Sequence, residues 1–175
     1  MTKRVRRTAV LLLVLLVVAG GCGGGGNVLP PVPSITDARD ATGTDPCALV
    51  SAEQLAAAGV GGAGTAVAAE EGPRCRWSGA GASLDVTLYT DGGGLATLAE
   101  NSEPTTTRVR LAGYPALETF TGRGEFCQYD VGVSASQVVM AARDAASPDS
   151  CEVLQRVLPG VLENLPAPGE PGPGR

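Results

Sequence analysis

Histidine is absent from the 175 residues, the single lysine is Lys3, and aromatic side chains make up 3% of the chain. Each shortage excludes something. Without histidine the chain lacks the commonest general base and a common metal ligand, and beyond Lys3 it has no amine for Schiff-base chemistry. No serine therefore has an evident activating base. The chain is read as a non-enzyme that needs no cofactor and no metal. With so few aromatics the core must be built from Val, Leu and Ala, and a core that modest gains from covalent cross-links.

Positive charge is scarce too. Lys3, Arg4, Arg6 and Arg7 precede Cys22 and no Asp or Glu does, so losing that segment turns the formal −5 into −9. An acidic chain without a basic patch argues against nucleic acid and against electrostatic docking on anionic headgroups.

What is present starts at the N-terminus. "MTKRVRR" is a cationic n-region, and "TAVLLLVLLVVAGG" is an apolar run too short to cross a bilayer comfortably but suited to a signal-peptide h-region. "VAGGC" resembles a bacterial lipobox, with small Gly20 and Gly21 ahead of Cys22, and Ala19 where Leu is the commoner residue. Residues 1–21 are thus a lipoprotein signal peptide and Cys22 is the acceptor of a covalent diacylglycerol. The alternative is an ordinary secretory signal with Cys22 free or disulfide-bonded. Cysteine arithmetic favours lipidation, because five is odd and setting Cys22 aside leaves an even set suited to an oxidising compartment. Two acyl chains give stable anchoring where one is marginal, which places the protein on the outer face of the cytoplasmic membrane.

Residues 22–44, Gly-rich and then Pro-containing, read as the lipidated cysteine plus a flexible tether of up to about 75 Å if straight. Residues 45–166 form the domain, and residues 167–175 read as a disordered tail. In the domain, Asp45–Pro46 and the Ser51/Gln54 capping box open a helix ending near Gly59. Leu84, Val86 and Leu88 alternate with polar residues as in a half-buried strand, after a strand on which Cys75 and Trp77 share a face. "GGGLATLAEN" is a short helix or turn, and "TTTRVRLAGYPALETF" holds two strand-like segments around residues 113–115. Cys127, Tyr129, Val131 and Val133 share one face of a hairpin that returns through Val138, Met140 and Ala142. Cys151, Leu154, Leu158, Val161, Leu162 and Leu165 make the apolar stripe of a final helix, with a kink or break expected at Pro159–Gly160.

These elements predict an α+β domain, an antiparallel sheet with N-terminal and C-terminal helices packed on it. The four remaining cysteines allow three connectivities. Cys47 with Cys75 and Cys127 with Cys151 is favoured, since each bridge then ties a helix to a nearby strand. A redox or zinc site is a poor alternative, because there is no C-x-x-C pair and no histidine.

The order "DPCALVSAEQLAAAG", "CRW", "LAGYPALETF", "CQYDVGVSASQVVMAA", "DSCEVLQRVLPGVLENLP" resembles an uncharacterised family of actinobacterial lipoproteins that carry a domain of unknown function. The resemblance spans roughly Asp45 to Pro166. It implies Cys22 as the lipid site and Cys47, Cys75, Cys127 and Cys151 as framework cysteines, with no catalytic residue. The interrupted final helix departs from the family's smoother pattern. The layout is also similar to the small Mog1/PsbP-like α/β sandwich of other lipoproteins.

Candidate sites are few. "GVGGAG" (59–64) satisfies G-x-G-x-x-G, with Asp85 downstream, but a helix precedes it and a weak strand follows, so it reads as a helix-terminating loop. Trp77 reads as a plug against the disulfide, with a ligand-facing role as the alternative; Tyr89 and Tyr114 are candidates for an aromatic lip, and the three together for a ligand groove. Glu70 with Glu71, and Asp85 with Glu118 or Asp130, are the possible carboxylate pairs, with solvated surface charge as the plainer reading. The expected function is a membrane-anchored binding or accessory module for a small hydrophobic ligand, an envelope lipid or a protein partner. The alternatives are a structural or inhibitory envelope protein without ligand, and a carboxylate-dependent hydrolase.

Overall fold

A computed structural model describes residues 31–123 and 125–170. The signal peptide, Cys22 and the first part of the tether lie outside the described residues, as do the last five residues of the tail. Among the described residues no helix is long and apolar enough to cross a membrane.

Seven strands form one antiparallel sheet: β1 (Gly61–Val67), β2 (Arg74–Gly79), β3 (Ala82–Tyr89), β4 (Thr106–Leu111), β5 (Tyr114–Thr121), β6 (Phe126–Gly132) and β7 (Val138–Ala145). Their order is β1-β2-β3-β7-β6-β5-β4, two meanders joined where β3 pairs with β7. A 3₁₀ turn (Pro46–Ala48) and α1 (Ala52–Ala57) precede the sheet, α2 (Gly94–Glu100) connects the meanders, and α3 (Ser150–Glu163) ends the domain. The expected α+β architecture and both disulfides, Cys47–Cys75 and Cys127–Cys151, are present. Each bridge fastens a helical segment to a strand, and closing loops of this size contributes about 3.5 kcal/mol apiece in the chain-entropy model.

The main core lies between α1, α3 and the first face of the sheet, where Leu84, Val86, Leu88, Tyr129 and Val131 meet Leu154, Leu158 and Val161. α2 packs on the opposite face, with Leu95 and Ala99 against Leu117 and Val138. On β7 the phase differs from the expected one. Val139 and Ala141 enter the main core with Arg143 beside them, opposite Val131, Tyr129 and Cys127, while Val138, Met140 and Ala142 point to the second face.

α3 does not break at Pro159; it runs unbroken through to Glu163. An interior proline costs about 3 kcal/mol, but Val157, Leu158, Val161 and Leu162 are all buried around it, and each such side chain stabilises by about 1.5–3 kcal/mol. Burial on both sides of Pro159 therefore outweighs the lost donor.

The capping box of α1 forms as read, and its Gln54 does more. The Gln54 amide accepts from Ser51 N and donates to the Val157 carbonyl of α3 at 2.9 Å. Gln54→Ala is expected to lower stability by about 1–2 kcal/mol, half from the cap and half from the interhelical bond. Urea denaturation measures it; a loss below a few tenths of a kcal/mol would refute the coupling.

The segment upstream of Asp45 packs on the domain. Arg39 N donates to Val133 O, Asp40 N to Pro166 O and Ala41 N to Gln137 Oε1, with Ala41 fully buried. Ile35 packs against the main core, its Cδ1 3.6 Å from where a Cβ on Gly132 would stand. Residues 31–44 thus form a strap that crosses from the α2 face to the α3 face, and the chain length left between Cys22 and the domain is shorter than the sequence suggested.

Candidate functional site

Trp77, Tyr114 and Tyr89 do not meet in one groove. Trp77 is 2% exposed and lies in the main core beside the Cys47–Cys75 bridge. Tyr114 sits at the edge of that core, where its hydroxyl accepts from Arg39 Nε and donates to Asp37 Oδ2, holding the strap. Tyr89 is on the opposite face, its hydroxyl 3.6 Å from Met140 Sδ. The disulfide cysteines stand at the first face, away from Tyr89, and Cys22 lies outside the described residues.

The carboxylate pairs do not assemble either. Glu70 and Glu71 are exposed in the turn after β1. Glu118 shares the first face with Tyr129, while Asp85 is on the second face, held by Arg76 Nε at 2.8 Å with Arg74 Nε at 3.9 Å. Asp130 shares that face but stands two strands away from Asp85. Among the described residues no cluster of His, Cys, Asp and Glu could hold a metal.

A different site emerges on the second face. The pairing register places Arg74, Thr87, Met140, Asp130, Leu117 and Arg108 in one row across six strands. Because side chains alternate along a strand, Arg76 joins Arg74 and Arg110 joins Arg108. Four of the nine arginines after Cys22 thus share this face, in two pairs five strands, about 24 Å, apart. The pairs do not make one basic patch: Arg74 and Arg76 face the Asp85 carboxylate, and Asp130 stands in the row between the pairs. The signal was in the sequence as R-x-R at 74–76 and 108–110, which strand periodicity stacks on one side.

Between the arginine pairs the face is buried and under-satisfied. Thr87 is wholly inaccessible, with its hydroxyl unpartnered, and Arg74 Nε and Arg108 Nε and Nη1 are buried without hydrogen-bond partners. Asp130 accepts from Gln128 Nε2 at 3.0 and 3.1 Å, and burial pushes its carboxyl up to about 6. Burial also raises the Tyr89 hydroxyl, with Asp130 and Glu71 adding to it. Orphaned buried polar groups are rare, and each calls for a physical account; Arg74 Nε faces the Asp85 carboxylate at 3.9 Å, whereas the Arg108 nitrogens stand five strands away at the other end of the face.

Beside Arg108 the face opens into an apolar groove of about 310 Å3, walled by Leu95 of α2, Pro115 and Leu117 of β5 and the strap residues Pro31–Pro33. A second concavity of about 390 Å3 on the other face contains Glu118, Tyr129 and Gln155. There the polar groups satisfy one another: Gln155 Nε2 donates to the Tyr129 hydroxyl, which donates to Glu118 Oε2. Burial and that carboxylate push the Tyr129 hydroxyl up to about 12, so it stays a neutral donor. A third concavity, of about 530 Å3, is lined by Thr44 and Arg74, whose Oγ1 and Nε are also unpartnered, but there Arg74 Nε faces the Asp85 carboxylate at 3.9 Å. The groove beside Arg108 is the better candidate because two guanidinium nitrogens at its wall have no hydrogen-bond partner and its lining is otherwise mostly apolar.

"GVGGAG" is confirmed as a helix-ending loop and edge strand. Gly59 adopts a left-handed φ of 73° after α1, and Gly61 opens β1. No strand feeds these glycines and no helix follows them, so they cannot cradle a pyrophosphate.

Comparison with known proteins adds a family and little else. No curated protein matches the chain. A crystal structure from Bacteroides thetaiotaomicron aligns with a TM-score of 0.40 at 6% identity, over 55% of this chain and 40% of that one. The chain thus spans less than half of that protein's length. Residues 17–164 match the family model described as "Protein of unknown function (DUF3558)", and the chain belongs to that family.

Proposed function

We propose that the protein is a lipoprotein of an actinobacterial cell envelope, anchored through Cys22 to the outer face of the cytoplasmic membrane, and that it acts as a binding module. The groove beside α2 takes a small hydrophobic ligand or an envelope lipid. One observation carries the reading: an apolar groove of about 310 Å3 whose wall includes Arg108, with Nε and Nη1 buried and unpartnered. The volume is at the low end of small-molecule sites, roughly 300–1,000 Å3. The family match begins at residue 17, upstream of Cys22, so the cysteine-bearing segment falls within the matched stretch. Two disulfides suit an oxidising compartment.

The test is fractionation of Cys22→Ala beside the wild-type chain, followed by native mass spectrometry of the released protein. The expected result is loss of membrane association and a non-covalent adduct that disappears on denaturation. Unchanged membrane association would overturn the anchor, and a bare protein in both states would overturn the binding module.

A further inference from the structure

We infer that the groove takes one acyl chain of an anionic phospholipid drawn from the membrane that holds the anchor, with Arg108 receiving the headgroup. This rests on the binding-module reading above and names its ligand.

Three observations converge. The groove is apolar along Leu95, Leu117, Val32 and Pro115, and at about 310 Å3 it has room for about ten groups of roughly 30 Å3, a partial acyl chain and not a whole lipid. Arg108 has two guanidinium nitrogens buried without partners at that groove, and Arg110 stands exposed on the same face, its Nη1 donating to the Gly113 carbonyl. A buried guanidinium with unspent donors is completed by phosphate or carboxylate oxygens and gains nothing from a neutral, purely apolar occupant. Finally, the groove and the anchor share one end of the chain. Pro31–Pro33 line the groove, and Pro31 is nine positions from Cys22, a reach of at most about 30 Å. The described strap removes the long tether, so the groove mouth stays within that distance of the bilayer carrying the acyl anchor.

The negative net charge of the chain does not oppose this. At physiological salt, exposed charges more than about 8 Å apart are largely screened, so the distant surface carboxylates contribute little at the groove, and the local field is set by Arg108 and Arg110 with the buried Asp130 two strands along the row.

The experiment uses the whole mature chain with Cys22→Ser, incubated with vesicles of phosphatidylcholine alone or of equal parts phosphatidylcholine and phosphatidylglycerol, then re-isolated and read by native mass spectrometry. The expected result is one phosphatidylglycerol retained per chain, in preference to phosphatidylcholine. Arg108→Gln lowers that retention about tenfold, as loss of one charge-assisted bond implies. Val32→Asp, on the half-buried strap at the groove wall, abolishes it while the denaturation midpoint of the variant, followed by Trp77 fluorescence, shows that the fold is kept. Equal retention of the two lipids, or retention indifferent to Arg108→Gln, overturns the anionic-lipid inference and leaves the binding groove standing if Val32→Asp still abolishes uptake. No retention of either lipid overturns the inference, and no retention of a wider panel of fatty acids and neutral lipids overturns the binding module with it. Retention by the Cys22→Ser chain but not by the lipidated chain shows the anchor's own acyl chain in the groove and likewise overturns the inference.

Discussion

Gly64→Ala is expected to destabilise the protein by about 3 kcal/mol, against the gain of about 0.5–1 kcal/mol that replacing a glycine inside a strand brings on propensity alone. The sign follows from β1. Between the pairs Gly61↔Ser78 and Thr65↔Arg76, residues 62–64 of β1 stand opposite Trp77 alone, and the strand bulges over the indole. A Cβ on Gly64 would overlap Cys75 Sγ and lie 2.7 Å from Trp77 Nε1. Neither neighbour can give: the sulfur is fixed in the Cys47–Cys75 bridge, and the indole is buried among core side chains. The added methyl forces the edge strand away from the disulfide. Gly61→Ala is the control, because a Cβ there meets nothing within 4 Å, and it should be neutral or slightly stabilising. Trp77 is the only tryptophan, so its fluorescence reports the site directly during denaturation. Equal stability of the two variants would show that β1 tolerates the methyl and that the close approach is unimportant.

That glycine illustrates what sequence reading reached and what it did not. The capping box at Ser51, the alternation of Leu84, Val86 and Leu88, and the pairing of each helical cysteine with a nearby strand cysteine are local signals, and each appears in the fold. β7 misled because residues 138–142 are apolar at every position, so periodicity carries no phase there; phase is set by pairing Val131 with Val139 on the neighbouring strand. The strap escaped because its bonds join Ala41 to Gln137 and Asp40 to Pro166, partners about a hundred residues away that a Gly- and Pro-rich composition cannot announce. The arginine face escaped for a related reason. Net charge sums over the whole chain, whereas Arg74, Arg76, Arg108 and Arg110 act through the face that strand geometry gives them. The aromatic groove was proposed from residue type alone, and the sheet separates Tyr89 from Trp77 and Tyr114 by a full layer.

Asp130→Asn is expected to raise stability by about 1–3 kcal/mol at pH 7.5 and by nothing at pH 3. Asp130 is 7% exposed on β6, between Leu117 and Met140 in its row, and Gln128 donates to both of its oxygens. Burial is the larger influence and lifts its carboxyl from 3.8 in the unfolded chain to about 6 in the folded one. A raised carboxyl means that the folded state binds the proton more tightly than the unfolded state. Below pH 4 both states are protonated and the site costs nothing. As pH rises from 4 to 6 the unfolded chain loses its proton first, and above 6 the folded state bears a penalty of about 3 kcal/mol. Asparagine keeps the shape and the acceptor for Gln128 while removing the charge, so the gain should grow over that window and level off above it. Denaturant unfolding of both proteins at pH 3, 5 and 7.5 measures it, and a gain independent of pH would show that the charge is not its source. Asp130 lies beside Leu117 and one residue further from Arg108 along the same row. A face that carries a destabilising carboxylate, an unpartnered threonine and an unpartnered arginine is less stable than its sequence need make it, the usual sign of a surface shaped for binding. If the face binds an anionic headgroup through Arg108, Asp130→Asn should also tighten that binding at pH 7.5, because it removes the nearest negative charge in the row.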